Sequence, residues 1–274
     1  MTEIHEVNIK LDASFTGPVC DFGVGFLKIE KDGQVGIPAG TGTFARLGKT
    51  CGIITAGHVL KELQKGTIGL IRFPSIEPAL QNFRLNMDHT DRIAMWNGND
   101  GDAPDIAFLK IPELDARRLE AQGSVFYNLA RERKFAPSKR NHRLSKAYAV
   151  VGVVGEWTEE GPAGHAKGKK ITVGGLFGAA KIGKEFKESE TDLVEVAIDY
   201  AAGPKIPKSY EGVSGGALWE LHVELDEENK VVRVNKKLHG VAFRQSDDHR
   251  LVVSNAAPSI EVADAIAAKW PDGK

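Results

Sequence analysis

Apolar residues recur along this chain with a period of two, in short runs separated by glycine-rich or charged turns. That pattern predicts strands rather than helices. Phe22–Ile29 reads as a strand closed by the turn Glu30–Gly33, and Ile37–Leu47 as a second, glycine-containing one. Cys51–Leu60 carries an apolar strand into small residues, a histidine at 58 and a short helical turn. Further strands are expected over Ile68–Phe73, Phe83–Met87, Arg92–Trp96 and Ile106–Ile111, with a weaker one over residues 4–11. Leu114–Leu119 predicts a short helix, and the polar, basic Asn128–Arg143 a connection. Strand alternation resumes at Ala147–Gly155, Ile171–Val173, Leu193–Ile198, Val231–Val234, Leu238–Arg244 and Leu251–Ser254. The charged, glycine-rich 156–170 segment reads as a mobile surface loop, and Lys184–Glu190 as a turn. Ser259–Ala268 closes the pattern as an amphipathic helix with Ser259 at its N-cap. Many short strands and one terminal helix predict an all-β protein of two lobes. The expected division is residues 1–127, a connection over 128–145, a second lobe over 146–258, and a helix and tail over 259–274.

The composition leaves that picture intact. With 274 residues, 42% hydrophobic and 27% charged, the chain suits one large or two small globular domains. A formal net charge of −1 supplies no overall basic balance for a nucleic-acid partner. No apolar run is long enough to span a membrane. Residues 1–7 lack the basic start and apolar core of a secretory leader, so the chain reads as cytoplasmic. Its two cysteines, Cys20 and Cys51, then read as small buried thiols.

Three places carry candidate chemistry. Gly212-Val213-Ser214-Gly215-Gly216 sets a serine among glycines, where a tight turn can aim the N–H groups of Gly212 and Ser214 at one point. His58, at a strand end, is a candidate general base. Asp105 opens the apolar Ile-Ala-Phe-Leu strand, which would bury it, and a buried carboxylate needs a partner such as an imidazole N–H. Other motifs fall away. Gly48-Lys49-Thr50 has Thr43 where a phosphate-binding loop needs glycine. Asp100 and Asp102 lack the ligand spacing of a calcium loop. No histidine pair has zinc-site spacing, and no metal or other cofactor is expected.

Taken in order, Ile54–Val59, Asp105–Lys110, Gly212–Gly216 and Gly240–Phe243, followed by the terminal helix, resemble the trypsin/chymotrypsin-like serine peptidases. The resemblance implies two six-stranded antiparallel β-barrels with a cleft between them. It implies His58, Asp105 and Ser214 as a catalytic triad and the N–H groups of Gly212 and Ser214 as an oxyanion hole. Phe243, Arg244 and Gln245 would line the cleft and pair with substrate backbone, and Lys208 would help shape the primary pocket. Lys208 and Arg244, with His249 or Arg250, would favour an acidic side chain if they face that pocket; exposed surface charge is the alternative. Secreted members carry an aspartate where this chain has Val213, and framework disulfides that it lacks. The chain is therefore more similar to the peptidase domain of the high-temperature-requirement proteases, without a PDZ domain. The implied activity is serine endopeptidase acting on protein or peptide substrates, under control of the 156–170 loop or a regulatory partner. A catalytically silent protein-binding module on the same fold is the competing expectation.

Overall fold

The computed structural model describes residues 19–29, 35–63, 65–73, 82–95, 103–130, 136–162, 169–188, 190–199, 209–246, 251–254 and 258–271. The expected opening strand, Asp100, Asp102, Lys208, His249 and Arg250 lie outside them.

Alternating apolar residues produce two β-lobes. The first holds β1 (Gly23–Ile29), β2 (Val35–Leu47), β3 (Thr50–Thr55), β4 (Thr67–Arg72), β5 (Asn82–Asn86), β6 (Asp91–Met95), β7 (Ile106–Lys110) and β8 (Tyr127–Asn128). Its strands run in the order β5-β4-β1-β2-β3-β7-β6, with β8 beside β2 in parallel. The sheet curls over Val24, Phe26, Phe44, Ile53, Leu70, Leu85 and Leu109. Helices α1 (Gly57–Glu62) and α2 (Glu113–Ala121) cover this core with Val59, Leu60, Ala116 and Leu119. The second lobe is a closed barrel of β9 (Arg143–Pro162), β10 (Lys169–Glu188), β11 (Thr191–Asp199), β12 (Ala217–Leu225), β13 (Val231–Gln245) and β14 (Leu251–Ser254). Its six antiparallel strands enclose Val150, Val154, Val194, Val196, Leu218 and Val253. The all-β, two-lobe architecture with a C-terminal helix is thus the one expected. The first lobe differs in detail: it follows a seven-strand path, and β8 is too short to leave an alternation signal.

Of the segment expected as a loop, residues 156–162 and 169–170 are strand, and 163–168 lie outside the described residues. β9 runs on to Pro162 and β10 begins at Lys169, with Glu159 paired with Thr172 and Pro162 with Lys169. Backbone ladder bonds form whatever the polarity of the side chains, which is why a charged, glycine-rich stretch concealed strands. The turn expected over Lys184–Glu190 falls at the end of that range, between Glu188 and Thr191, while Lys184 lies in a bulge where the β10–β11 register jumps from Ile182↔Val196 to Glu185↔Val194. Val231–Val234 and Leu238–Arg244 are parts of one strand, β13.

A third apolar cluster joins the lobes. Phe22, Ile54, Ile106 and Phe108 from the first pack with Val151, Trp219, Leu221 and Val241 from the second. Trp219 lies 5.3 Å from the Phe22 ring and 5.1 Å from the Tyr127 ring, centroid to centroid. Helix α3 (Pro258–Lys269) adds Val262 and Ile266, four residues apart on one face. Just beyond, Trp270 Nε1 donates to Asp91 of β6 at 3.2 Å, and Lys269 Nζ at 2.8 Å, strapping the helix across the first lobe. Cys20 is buried, and burial with Asp21 beside it pushes its thiol up to about 12.

Polar side chains fill one end of the barrel. Glu220, His222 and Glu224 continue the face of β12 that begins with Leu218. The β12–β13 register jumps from Leu218↔Gly240 to Trp219↔Leu238, leaving His239 as the extra residue, with Nδ1 3.2 Å from Glu220. Lys146 and His222 complete the ring around Glu220 at 3.0 and 2.7 Å. The His239 hydrogen bond, with the contacts to Lys146, holds the Glu220 carboxyl far below its ordinary range. Glu224 is held at about 2, chiefly by the Ser138 hydroxyl and also by His142.

Two outcomes follow from these contacts. Trp219→Ala should cost about 3–5 kcal/mol in equilibrium urea unfolding, because it empties the cluster that joins the lobes. A loss below about 1 kcal/mol would show that the lobes do not depend on that ring. Acid should also destabilise the fold. Unfolded carboxyls take up protons near 4.5, well before Glu220 and Glu224 do in the folded chain, so stability falls as pH drops from there through about 2. Glu220→Gln should flatten that limb of a pH–stability curve.

Candidate active site

His58 is the second residue of α1, a six-residue helix that starts where β3 ends. Val59 and Leu60 anchor the helix in the first core, and the imidazole remains 22% exposed. Asp105 immediately precedes β7 and is wholly buried. Its carboxylate engages His58 twice: Oδ1 accepts the backbone N–H at 3.0 Å, and Oδ2 makes a short hydrogen bond with ring Nδ1. The Asp105 carbonyl also accepts from Gly57 N–H at 3.3 Å. A buried carboxylate with both oxygens committed to one residue fixes both the backbone and the ring of that residue. The N–H on Nδ1 that this bond requires leaves Nε2 as the basic nitrogen of the neutral ring.

Ser214 lies in a turn between Tyr210 and β12. Val213 N–H donates to the Tyr210 carbonyl at 2.9 Å, closing a β-turn whose third residue, Gly212, has φ +90°. Glycine is required there because other residues rarely adopt that conformation. Val213 is fully buried inside the second barrel and pins the turn from below. The Glu211 carbonyl accepts from Gly155 N–H of β9 at 2.8 Å. In a trans peptide C=O and N–H point in opposite directions, so the N–H of Gly212 is aimed away from β9.

Backbone contacts bring this turn to the first lobe. The Ser214 carbonyl accepts from Thr41 N–H of β2 at 2.8 Å. At Gly215, with φ +87°, a Cβ would meet the Thr41 carbonyl at 2.0 Å, Thr55 Oγ1 at 2.1 Å and Ala56 N at 3.0 Å. Ala56 is two residues from His58. The expected triad residues therefore converge at one seam, His58 and Asp105 by a direct side-chain pair and Ser214 through its backbone. The hydroxyl-to-imidazole contact of a complete triad is not among the described bonds.

Beside Ser214 is a cavity of about 200 Å³, lined by Ser209–Glu211 on one side and by Ala242–Gln245 with Leu251 on the other. Gln245 Oε1 accepts from Tyr210 N–H at 3.0 Å, tying the two walls together. β13 pairs there with β14 along one edge, while its pairing with β12 ends at Val241↔Ala217. Phe243 is almost wholly buried, so its ring is part of the packing beneath the wall. Arg244 stacks over that ring at 5.4 Å and makes a two-pronged ion pair with Glu188. Its charge is already met within the protein, which removes one of the groups expected to make the pocket basic. Among the described residues, no three His, Cys, Asp or Glu side chains are grouped to hold a metal ion.

Thr41 and Gly155 were not expected at this site. The only signal for Thr41 was a threonine between two glycines in a strand, a pattern with many structural meanings.

No family model matches the sequence, and no curated protein sequence does. Among solved structures the chain is similar to one described as "Crystal structure of Rv3671c protease, inactive form", at 14% identity over 94% of each chain, with a TM-score of 0.41.

Gly215→Ala should be severe, because its Cβ would strike a backbone carbonyl and a short buried side chain, neither able to yield. We expect a loss of more than about 3 kcal/mol in chemical denaturation, above the ordinary range for a point substitution. A near-neutral effect would mean that the seam can open.

Proposed function

We propose that the protein is a trypsin-like serine endopeptidase, with Ser214 as nucleophile, His58 as general base and Asp105 as the group that orients and charges the imidazole. The observation that carries this reading is the His58–Asp105 pair, a wholly buried carboxylate spent on a partly exposed histidine beside the serine turn. In this reading His58 Nε2 takes the Ser214 hydroxyl proton as Oγ attacks the scissile carbonyl, forming a tetrahedral oxyanion. The imidazolium, stabilised by Asp105, then gives that proton to the leaving amine, and an acyl-enzyme remains. Water attacks the ester by the same route in reverse order, releasing the acid and restoring Ser214.

The N–H groups of Gly212 and Ser214 are the natural oxyanion donors. The Glu211–Gly155 bond favours a Gly212 N–H that already points away from the barrel in the resting chain, so no conversion is needed to create that donor. An extended peptide would lie along Phe243–Gln245, beyond Ala242, whose carbonyl and N–H are bonded to Gly215 N–H and the Gly216 carbonyl, with one side chain entering the cavity. Control through ordering of the 156–170 loop draws no support from 156–162 and 169–170, which are already strand. The competing reading, a silent binding module, draws on the Ser214 contacts, which run through its backbone.

Treatment of the purified chain with a fluorophosphonate probe, read by intact mass and peptide mapping, separates the two. We expect one adduct on Ser214, none in Ser214→Ala, and labelling slowed by about 10⁴-fold in Asp105→Asn, where the histidine takes the wrong tautomer. No labelling of the parent, alone or in cell extract, would favour the binding module.

A further inference from the structure

Thr41 uses every hydrogen-bonding group it has on other segments of the chain. It is wholly buried in β2. Its hydroxyl donates to the Gly212 carbonyl at 2.6 Å and accepts from Val153 N–H of β9 at 2.8 Å. Its backbone N–H donates to the Ser214 carbonyl, and its own carbonyl accepts from the Thr55 hydroxyl at 2.6 Å. Gly212 and Ser214 flank Val213 in the serine turn, and Thr55 ends the strand that leads to His58. One residue of the first lobe thus grips the turn on both sides of Val213, braces it against β9, and is itself tied to the strand carrying the histidine.

We propose that Thr41 is a positioning residue, whose hydroxyl sets the orientation of the Gly212–Val213 peptide and so the placement of Ser214 relative to His58. The inference rests on the reading of Ser214 as nucleophile. The argument is geometric. Valine has the shape of threonine without the hydroxyl, so it leaves the Gly212 carbonyl and the Val153 N–H unpaired in a buried place. The carbonyl then loses its anchor, and the peptide it belongs to, next to the serine, keeps the bond from Val213 N–H to the Tyr210 carbonyl but not the one that fixes its other side. Misplacement by about 1 Å is enough to cost on the order of 100-fold in a reaction that depends on alignment. Thr41 touches no substrate in this scheme and acts only through the turn.

The test compares Thr41→Val and Thr41→Ser in the full chain, by second-order rate of fluorophosphonate labelling at a temperature where circular dichroism reports each variant folded. The expected result is a fall of roughly 10–100-fold for Thr41→Val, with most of the lost rate restored by Thr41→Ser. Serine restores the hydroxyl without the methyl, so a purely packing role for Thr41 would not produce that rescue. Folded Thr41→Val labelling at the parental rate would overturn the inference while leaving the serine chemistry standing. An equally slow Thr41→Ser would also overturn it, since the effect would then belong to the methyl group. Should Thr41→Val fail to fold, Thr55→Val takes its place: it removes only the tether on the Thr41 carbonyl. A smaller fall in rate supports the inference, and an unchanged rate overturns it. A parent chain that never labels would overturn both the inference and the reading on which it rests.

Discussion

β2 and the serine turn lie in backbone contact, with no side chain between them at Gly215. That contact fixes the spacing of the two lobes, because atoms on both sides belong to the main chain or to short buried hydroxyls. It does not supply the force that closes them. A hydrogen bond contributes roughly 0.5–1.5 kcal/mol net, whereas a buried large apolar side chain contributes roughly 1.5–3 kcal/mol, and the cluster around Trp219 holds many of these. Apolar burial is non-directional and cannot by itself set register. The structure divides the work: the Trp219 cluster holds the lobes together, and the bonds at Thr41 decide where they stop.

Two buried carboxylates illustrate how environment separates structure from chemistry. Glu220 is saturated by Lys146, His222 and His239 at the end of the barrel, so no proton reaches or leaves it without breaking several contacts. Asp105 is buried even more completely, but its side-chain partner is a single histidine whose ring is partly exposed. The first arrangement serves stability. The second holds one imidazole by its Nδ1 and leaves Nε2 as the nitrogen to which the proposed reading assigns proton transfer.

Much of this was legible in the residues. Strands with bulky alternation were found to within a few positions, because burial on one face leaves a period of two. His58 and Asp105 were legible as well, since a histidine and an aspartate at strand ends are chemically conspicuous. Other features had no local signature. The β9–β10 arms are paired through the backbone, so their glycines and charges suggested a loop. Arg244 looked like a pocket cation because Glu188, 56 residues upstream, gave no sign of being its partner. Thr41 draws its meaning from partners as far as 171 residues away, and no pattern within β2 announces them.

That separation along the chain bears on how the molecule is made. His58 and Asp105 leave the ribosome with the first lobe, and the β2 strand that must grip the serine turn leaves before either of them. Its partner Gly212 follows Thr41 by 171 residues, on the order of 10–30 s of synthesis at ordinary elongation rates. During that interval the proposed base and its carboxylate stand in a chain whose serine turn has not yet been made. In the proposed reading, the nascent chain stays chemically silent until the second lobe has been made and docked against the first.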